Sequence, residues 1–137
     1  QVIPMTAHSG SCLCGAVKFE VEGEFESFYL CHCRRCQKDS GSAHGANLFS
    51  RSAELIWRSG VEAVRTFTLA GTRHSRSFCM HCGSPMPNMQ DEGLLVVPAG
   101  CLDSQPTLLP TAHLFSASKA LWNQRLEEVP MFEGLPR

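Results

Sequence analysis

The chain has 137 residues, 43% of them apolar, enough for one domain with a core of its own. Its 12 lysines and arginines and 13 aspartates and glutamates are interspersed and leave a net charge of -1, so there is no electrostatic footprint for nucleic acid or an anionic membrane. No apolar run approaches the roughly 20 residues that cross a bilayer, and the chain reads as soluble.

Residues 1–9 read as an N-terminal extension or cloning remnant, with Met5 as a candidate native start. They contain no basic region followed by an apolar stretch, so a secretory leader is not visible and a cytoplasmic protein is expected. Residues 10–137 read as a single domain. Val17, Phe19 and Val21 alternate with Lys18, Glu20 and Glu22, the period of a half-buried strand, which Gly23 ends. Further short strands are expected at 28–30, 46–49, 55–57, 64–69, 75–78, 94–97 and 113–115. Turn signals at Ser59-Gly60, Ala70-Gly71, Glu92-Gly93 and Leu109-Pro110 separate several of them. Only Arg34–Ser40, with Gly41 to end it, reads as a helical turn. The expected class is mainly β.

Eight cysteines stand out, at positions 12, 14, 31, 33, 36, 79, 82 and 101. A disulfide framework would suit an oxidising compartment and a smaller, loop-rich chain, and neither is indicated. Zinc takes four ligands, usually thiolate or imidazole, in a closed structural site and three in a site that keeps a position open. Cys79-x-x-Cys82-Gly83 has the spacing that lets both thiolates face one ion, and a bend at Gly15 can aim Cys12 and Cys14 at the same ion. Cys31, Cys33 and Cys36 put three thiolates within six residues; their mutual repulsion would be severe without a cation between them. Two zinc ions are therefore expected, one closed and one open.

The order and spacing of these segments resemble the glutathione-dependent formaldehyde-activating enzyme family, which includes centromere protein V. The resemblance runs from Gly10-Ser-Cys-Leu-Cys-Gly-Ala-Val-Lys-Phe19 through Cys31-His-Cys-Arg-Arg-Cys-Gln-Lys-Asp-Ser-Gly-Ser-Ala43. It continues in Arg76-Ser-Phe-Cys-Met-His-Cys-Gly-Ser-Pro85, Gly100-Cys-Leu-Asp103, His113-Leu-Phe115 and Ser118-Lys-Ala-Leu-Trp122. It implies a β-tent fold of short antiparallel strands, a structural zinc on Cys12, Cys14, Cys79 and Cys82, and a second zinc on Cys31, Cys33 and Cys36. It also implies a carbon-sulfur lyase activity that joins a thiol such as glutathione to formaldehyde as S-hydroxymethylglutathione. His44 and Cys101 depart from the family pattern.

On this reading a small thiol enters the open site and its sulfur meets the aldehyde. Gln37, Ser40, Ser42 and His44 are the candidate substrate contacts. A non-catalytic zinc-stabilised binding module and a thiol-conjugate carrier are the alternatives, and the oligomeric state is left open. Cys101 reads as a small buried spectator, and His32 and His81 as side chains directed away from the metal or hydrogen-bonding around it. His113, Trp57, Trp122, Phe115 and Phe132 read as core, and Asp103 as a turn cap.

Overall fold

Alternating burial shapes most of the chain in the computed structural model, which describes residues 7–136. The strands are β1 Ala7–Ser11, β2 Lys18–Glu22, β3 Ser27–Cys31, β4 Gly45–Ser50, β5 Glu54–Ser59, β6 Val64–Thr68 and β7 Ser75–Cys79. They continue with the two-residue β8 Pro85–Met86 and β9 Asn88–Met89, then β10 Leu95–Pro98 and β11 Ala112–Leu114. One α-helix, α1 Arg34–Ser40, interrupts them. The fold is mainly β, in three sheets of order β1-β2-β5, β11-β3-β4-β10-β9 and β6-β7-β8. Every strand pair is antiparallel except β11 with β3.

In β2, Phe19 and Val21 turn inward and Lys18 and Glu22 outward, as the sequence pattern requires. Phe19 belongs to one buried apolar cluster with Leu48 of β4, Leu95 and Val97 of β10, Cys79 of β7 and Met86 of β8, and this cluster joins all three sheets. The partner of Phe19 across the sheet is Gly10, and the pairing depends on its missing side chain. A Cβ there would lie 2.2 Å from Phe19 Cζ and 2.7 Å from the Cys101 carbonyl oxygen.

β1 pairs from Ala7 with Glu22 and buries His8 against Phe25; residues 1–6 of the expected N-terminal extension lie outside the described residues. The expected core is corrected at four positions. Phe115, Trp122 and Phe132 are exposed rather than core, because the chain beyond β11 forms 3-10 and other turns that pair with no sheet. His113 is also exposed, on the outermost strand β11, while Trp57 is half-buried edge-on to Phe19. The short 3-10 turns, at Val61–Ala63 and Ala99–Cys101 among others, were not anticipated. Among the described residues no helix is long and apolar enough to cross a membrane.

Candidate metal centres and the adjoining cavity

Four cysteines from two turns far apart in sequence meet at one point. Cys12 and Cys14 lie in the β1–β2 connection, where Gly15, at φ 83°, lets the chain fold back so that its N–H reaches the Cys12 carbonyl at 3.1 Å. Cys79 ends β7, and Cys82 follows in a turn closed by the Gly83 N–H on the Cys79 carbonyl at 2.7 Å. Ser84 stitches the turns together: its hydroxyl accepts from the Leu13 N–H at 2.8 Å and lies 3.3 Å from the Cys82 sulfur.

The four sulfurs lie within 4.8 Å of one another. Cys12 and Cys14 are 3.6 Å apart, and Cys14 and Cys79 3.9 Å. A tetrahedral ion with metal–sulfur distances of about 2.3 Å needs an edge of about 3.8 Å, so the donor set fits one such ion. Backbone donors also converge, from Val17 on Cys12 at 3.2 Å and from His81 on Cys79 at 3.4 Å.

The thiol acidities within the group are pushed in opposite directions. Ser84 holds the Cys82 thiol down to about 5. Cys14, despite a backbone N–H from Ala16, is pushed up to about 11 by Cys12, burial and the other two thiols. The group accepts its first negative charges and resists the next, a conflict that a divalent ion removes.

Cys31 ends β3, Cys33 is the N-cap of α1, and Cys36 lies in its first turn. The Cys33 sulfur accepts the Cys36 N–H at 3.4 Å, and Gly41, left-handed at φ 64°, closes the helix through the Gln37 carbonyl. These three sulfurs also gather within 4.8 Å, and among the described residues no histidine or carboxylate joins them. Burial and the neighbouring thiols push Cys36 far up, and burial raises Cys31. Cys33 is lowered against burial by the Cys36 N–H and the adjacent thiols.

The two groups differ in what they face. A cavity of about 350 Å³ opens between β3, β4 and β10 on one side and β7 and β8 on the other, and Cys31 and Cys36 line it. None of the four-cysteine group does. Phe49, Val96 and Met86 give the walls an apolar character, and Asn47, Arg73 and Arg76 add polar groups. The Arg76 guanidinium lies over the Phe78 ring at 5.3 Å, which restrains a long side chain that otherwise samples many rotamers.

Of the candidate contacts, Ser40 lines this cavity. Gln37 is buried, and its amide donates to the His32 and Ser118 carbonyls at 2.7 and 2.9 Å. Ser42 lines a second, shallower hollow of about 220 Å³ with Arg34, Lys38 and Trp122. His44 packs edge-on to His32, at 5.1 Å between rings. His32 is fully buried and shares a 2.8 Å hydrogen bond with His113, so it supports the β3–α1 corner from behind. Cys101 is buried, 3.0 Å from the Pro98 carbonyl, its thiol pushed up to about 12 by burial. The sequence reading did not single out Arg73, Arg76, His74 and Asp39, which also line the cavity. The first three come from the β6–β7 hairpin, whose approach to α1 is purely tertiary, and no residue pattern announces it.

By fold and site the chain is a cysteine-rich, mainly β protein able to hold metal in two groups of thiols. Its sequence matches the family described as glutathione-dependent formaldehyde-activating enzyme over residues 7–118, and the chain belongs to that family. A Halomonas elongata protein, provisionally named as a glutathione-dependent formaldehyde-activating enzyme, is 31% identical over 143 residues, covering 93% of this chain and 87% of the relative. The crystal structure of a Rhodobacter sphaeroides protein superposes with a TM-score of 0.61 at 22% identity, covering 77% of this chain and 98% of that one, and supports the fold.

Proposed function

We propose that the protein is a zinc-dependent carbon-sulfur lyase that forms and cleaves the S-hydroxymethyl adduct of formaldehyde with glutathione or a similar small thiol. The observation that carries this reading is the asymmetry of the cysteine groups: the three-thiol group meets a cavity through Cys31 and Cys36, and none of the four-thiol group lines it. Zinc takes both kinds of donor set, structural where four thiolates close the shell and reactive where three leave a position open. Two ions per chain are proposed. Bound at Cys31, Cys33 and Cys36, zinc supplies positive charge that favours the thiolate form of an arriving thiol.

The residues of the chain do the rest. Arg73 and Arg76 give the cavity positive charge suited to the carboxylates of a glutathione-like thiol. Phe49, Val96 and Met86 limit water around the reacting carbon. The Asn47 amide offers a hydrogen-bond donor for the aldehyde oxygen as charge develops on it. Eight free thiols suit a reducing, cytoplasmic setting for this chemistry.

Cys33→Ser tests the reading, because serine is a strong helix N-cap and preserves the local fold while removing one thiolate. The wild type is expected to carry two zinc ions by elemental analysis and to speed equilibration of glutathione with formaldehyde beyond the spontaneous rate. The variant is expected to keep its circular dichroism, lose one zinc, and lose both thiol binding by titration calorimetry and the acceleration. Equal binding and equal rates in the two proteins would overturn the proposal.

A further inference from the structure

Beside the cavity that Cys31 and Cys36 line, the β6–β7 connection reaches over to α1. The His74 Nε2 lies 2.5 Å from the Asp39 Oδ2, with both side chains about a quarter exposed and both lining the cavity that Cys31 and Cys36 enter. His74 is held from its other side too, by its N–H on the Thr72 hydroxyl at 3.1 Å and its carbonyl on the Leu69 N–H at 2.9 Å. Among the described residues no protein atom hydrogen-bonds the His74 Nδ1, so an imidazole tethered through Nε2 keeps its second nitrogen for a ligand.

Adduct formation creates a need for that nitrogen. When a thiol adds to formaldehyde, a sulfur–carbon bond forms and the carbonyl π bond breaks; the sulfur gives up a proton and the new alkoxide oxygen takes one up. Neither proton site is served by the cysteines, which are committed as metal donors on the proposed reading. Arg73 and Arg76 remain charged at any working pH, and Asn47 does not titrate. Of the groups that the surrounding elements turn toward the cavity, His74 alone brings an imidazole, a side chain that can both accept and return a proton.

We propose that His74 is a catalytic acid–base residue of the adduct-forming reaction and Asp39 the positioning residue that sets its tautomer and orientation. His74 Nδ1 accepts the proton that the thiol sulfur releases and returns it to the alkoxide oxygen, so the hydroxymethyl product leaves with no net proton gained or lost. Cleavage runs the same transfers backwards. An imidazole oriented by a carboxylate is a recurring solution to this problem, with Nε2–H donating to the acid and Nδ1 free to accept. The inference rests on the proposed thiol–formaldehyde chemistry.

A clasp that merely ties the β6–β7 hairpin to α1 is the competing role, and His74→Gln separates the two. The glutamine amide can still donate to Asp39 but cannot carry a proton. Exchange between glutathione, formaldehyde and their adduct is followed by NMR on the zinc-loaded wild type, His74→Gln, His74→Ala and Asp39→Asn, with thermal midpoints and zinc content as folding controls. The expected result is a loss of roughly a hundredfold in kcat for His74→Gln at unchanged zinc content and KM for the thiol. His74→Ala is expected to regain rate with added imidazole, and Asp39→Asn to lose kcat rather than thiol affinity. A His74→Gln protein as fast as the wild type, or a His74→Ala protein that imidazole leaves unchanged, overturns the assignment. A wild type that does not exceed the spontaneous rate overturns the proposed reaction itself, a different result from an active wild type matched by its variants.

Discussion

Cys79→Ser and Cys101→Ser make the same chemical change at two buried positions, and the structure expects them to differ severalfold in cost. Cys79 is fully buried and Cys101 nearly so. A serine at 101 can keep the contact of the thiol with the Pro98 carbonyl, so its cost is that of burying a satisfied hydroxyl, about 1 kcal/mol. Cys79, by contrast, belongs to a group whose members lie 65 residues apart across the Cys14–Cys79 contact, and no ladder hydrogen bond joins β1 or β2 to β7. A metal ion there binds only the folded chain, and its binding free energy becomes folding free energy. Structural zinc sites are worth about 10–16 kcal/mol in small peptides, against about 5–15 kcal/mol for a whole domain. Losing one of four ligands is therefore expected to cost at least about 4 kcal/mol and to drop the metal. Urea unfolding of both variants with elemental analysis of the folded protein reads this out, and a chelator titration of the wild type should reproduce the Cys79→Ser loss. If both variants lose about 1–2 kcal/mol and hold the same zinc as the wild type, no ion closes the four-cysteine group and the argument for it fails.

Other expectations are narrower. Gly10→Ala should cost about 1–3 kcal/mol or more in urea unfolding, because its Cβ would overlap the Phe19 ring and the Cys101 carbonyl; a cost below 0.5 kcal/mol would show that β1 and β2 can move apart freely. Burial holds the His8 imidazole below its ordinary value, so the unfolded chain takes up its proton first as pH falls. The His8 contribution to stability is then present above about pH 6.5 and is lost as pH falls below it. His8→Leu should lose less stability than the wild type between pH 7 and 5, with metal loss common to both; parallel losses would refute this. Arg73→Ala with Arg76→Ala should weaken glutathione binding more than that of an uncharged thiol such as 2-mercaptoethanol, and equal weakening would remove the charge argument.

The parts of this fold that the sequence reveals are those in which one residue's chemistry decides its place. The alternation in 17–22 becomes β2 because every second side chain must be apolar to face a core, and Arg34–Ser40 becomes α1 because Gly41 can supply the left-handed residue that ends it. The cysteine groups are legible for the same reason, since thiolates clustered at short spacing have few alternatives to metal. Hydrophobicity alone is a weaker guide. Trp122, Phe115 and Phe132 are as apolar as Phe19, yet they lie exposed, because burial depends on a neighbouring strand to pack against and the chain after β11 has none. His8 makes the opposite point: a polar residue in a segment with little strand signal is buried because β2 pairs with it along its length. The cavity was hidden for a related reason. The six residues of Cys31–Cys36 announce a metal group, but the cavity beside it is walled by Arg73, His74 and Arg76, about forty positions further along. Their meeting with Asp39 follows from how the β6–β7–β8 sheet docks on the core through Cys79 and Met86. Local sequence thus names the reactive cysteines, and tertiary packing selects the groups that face them.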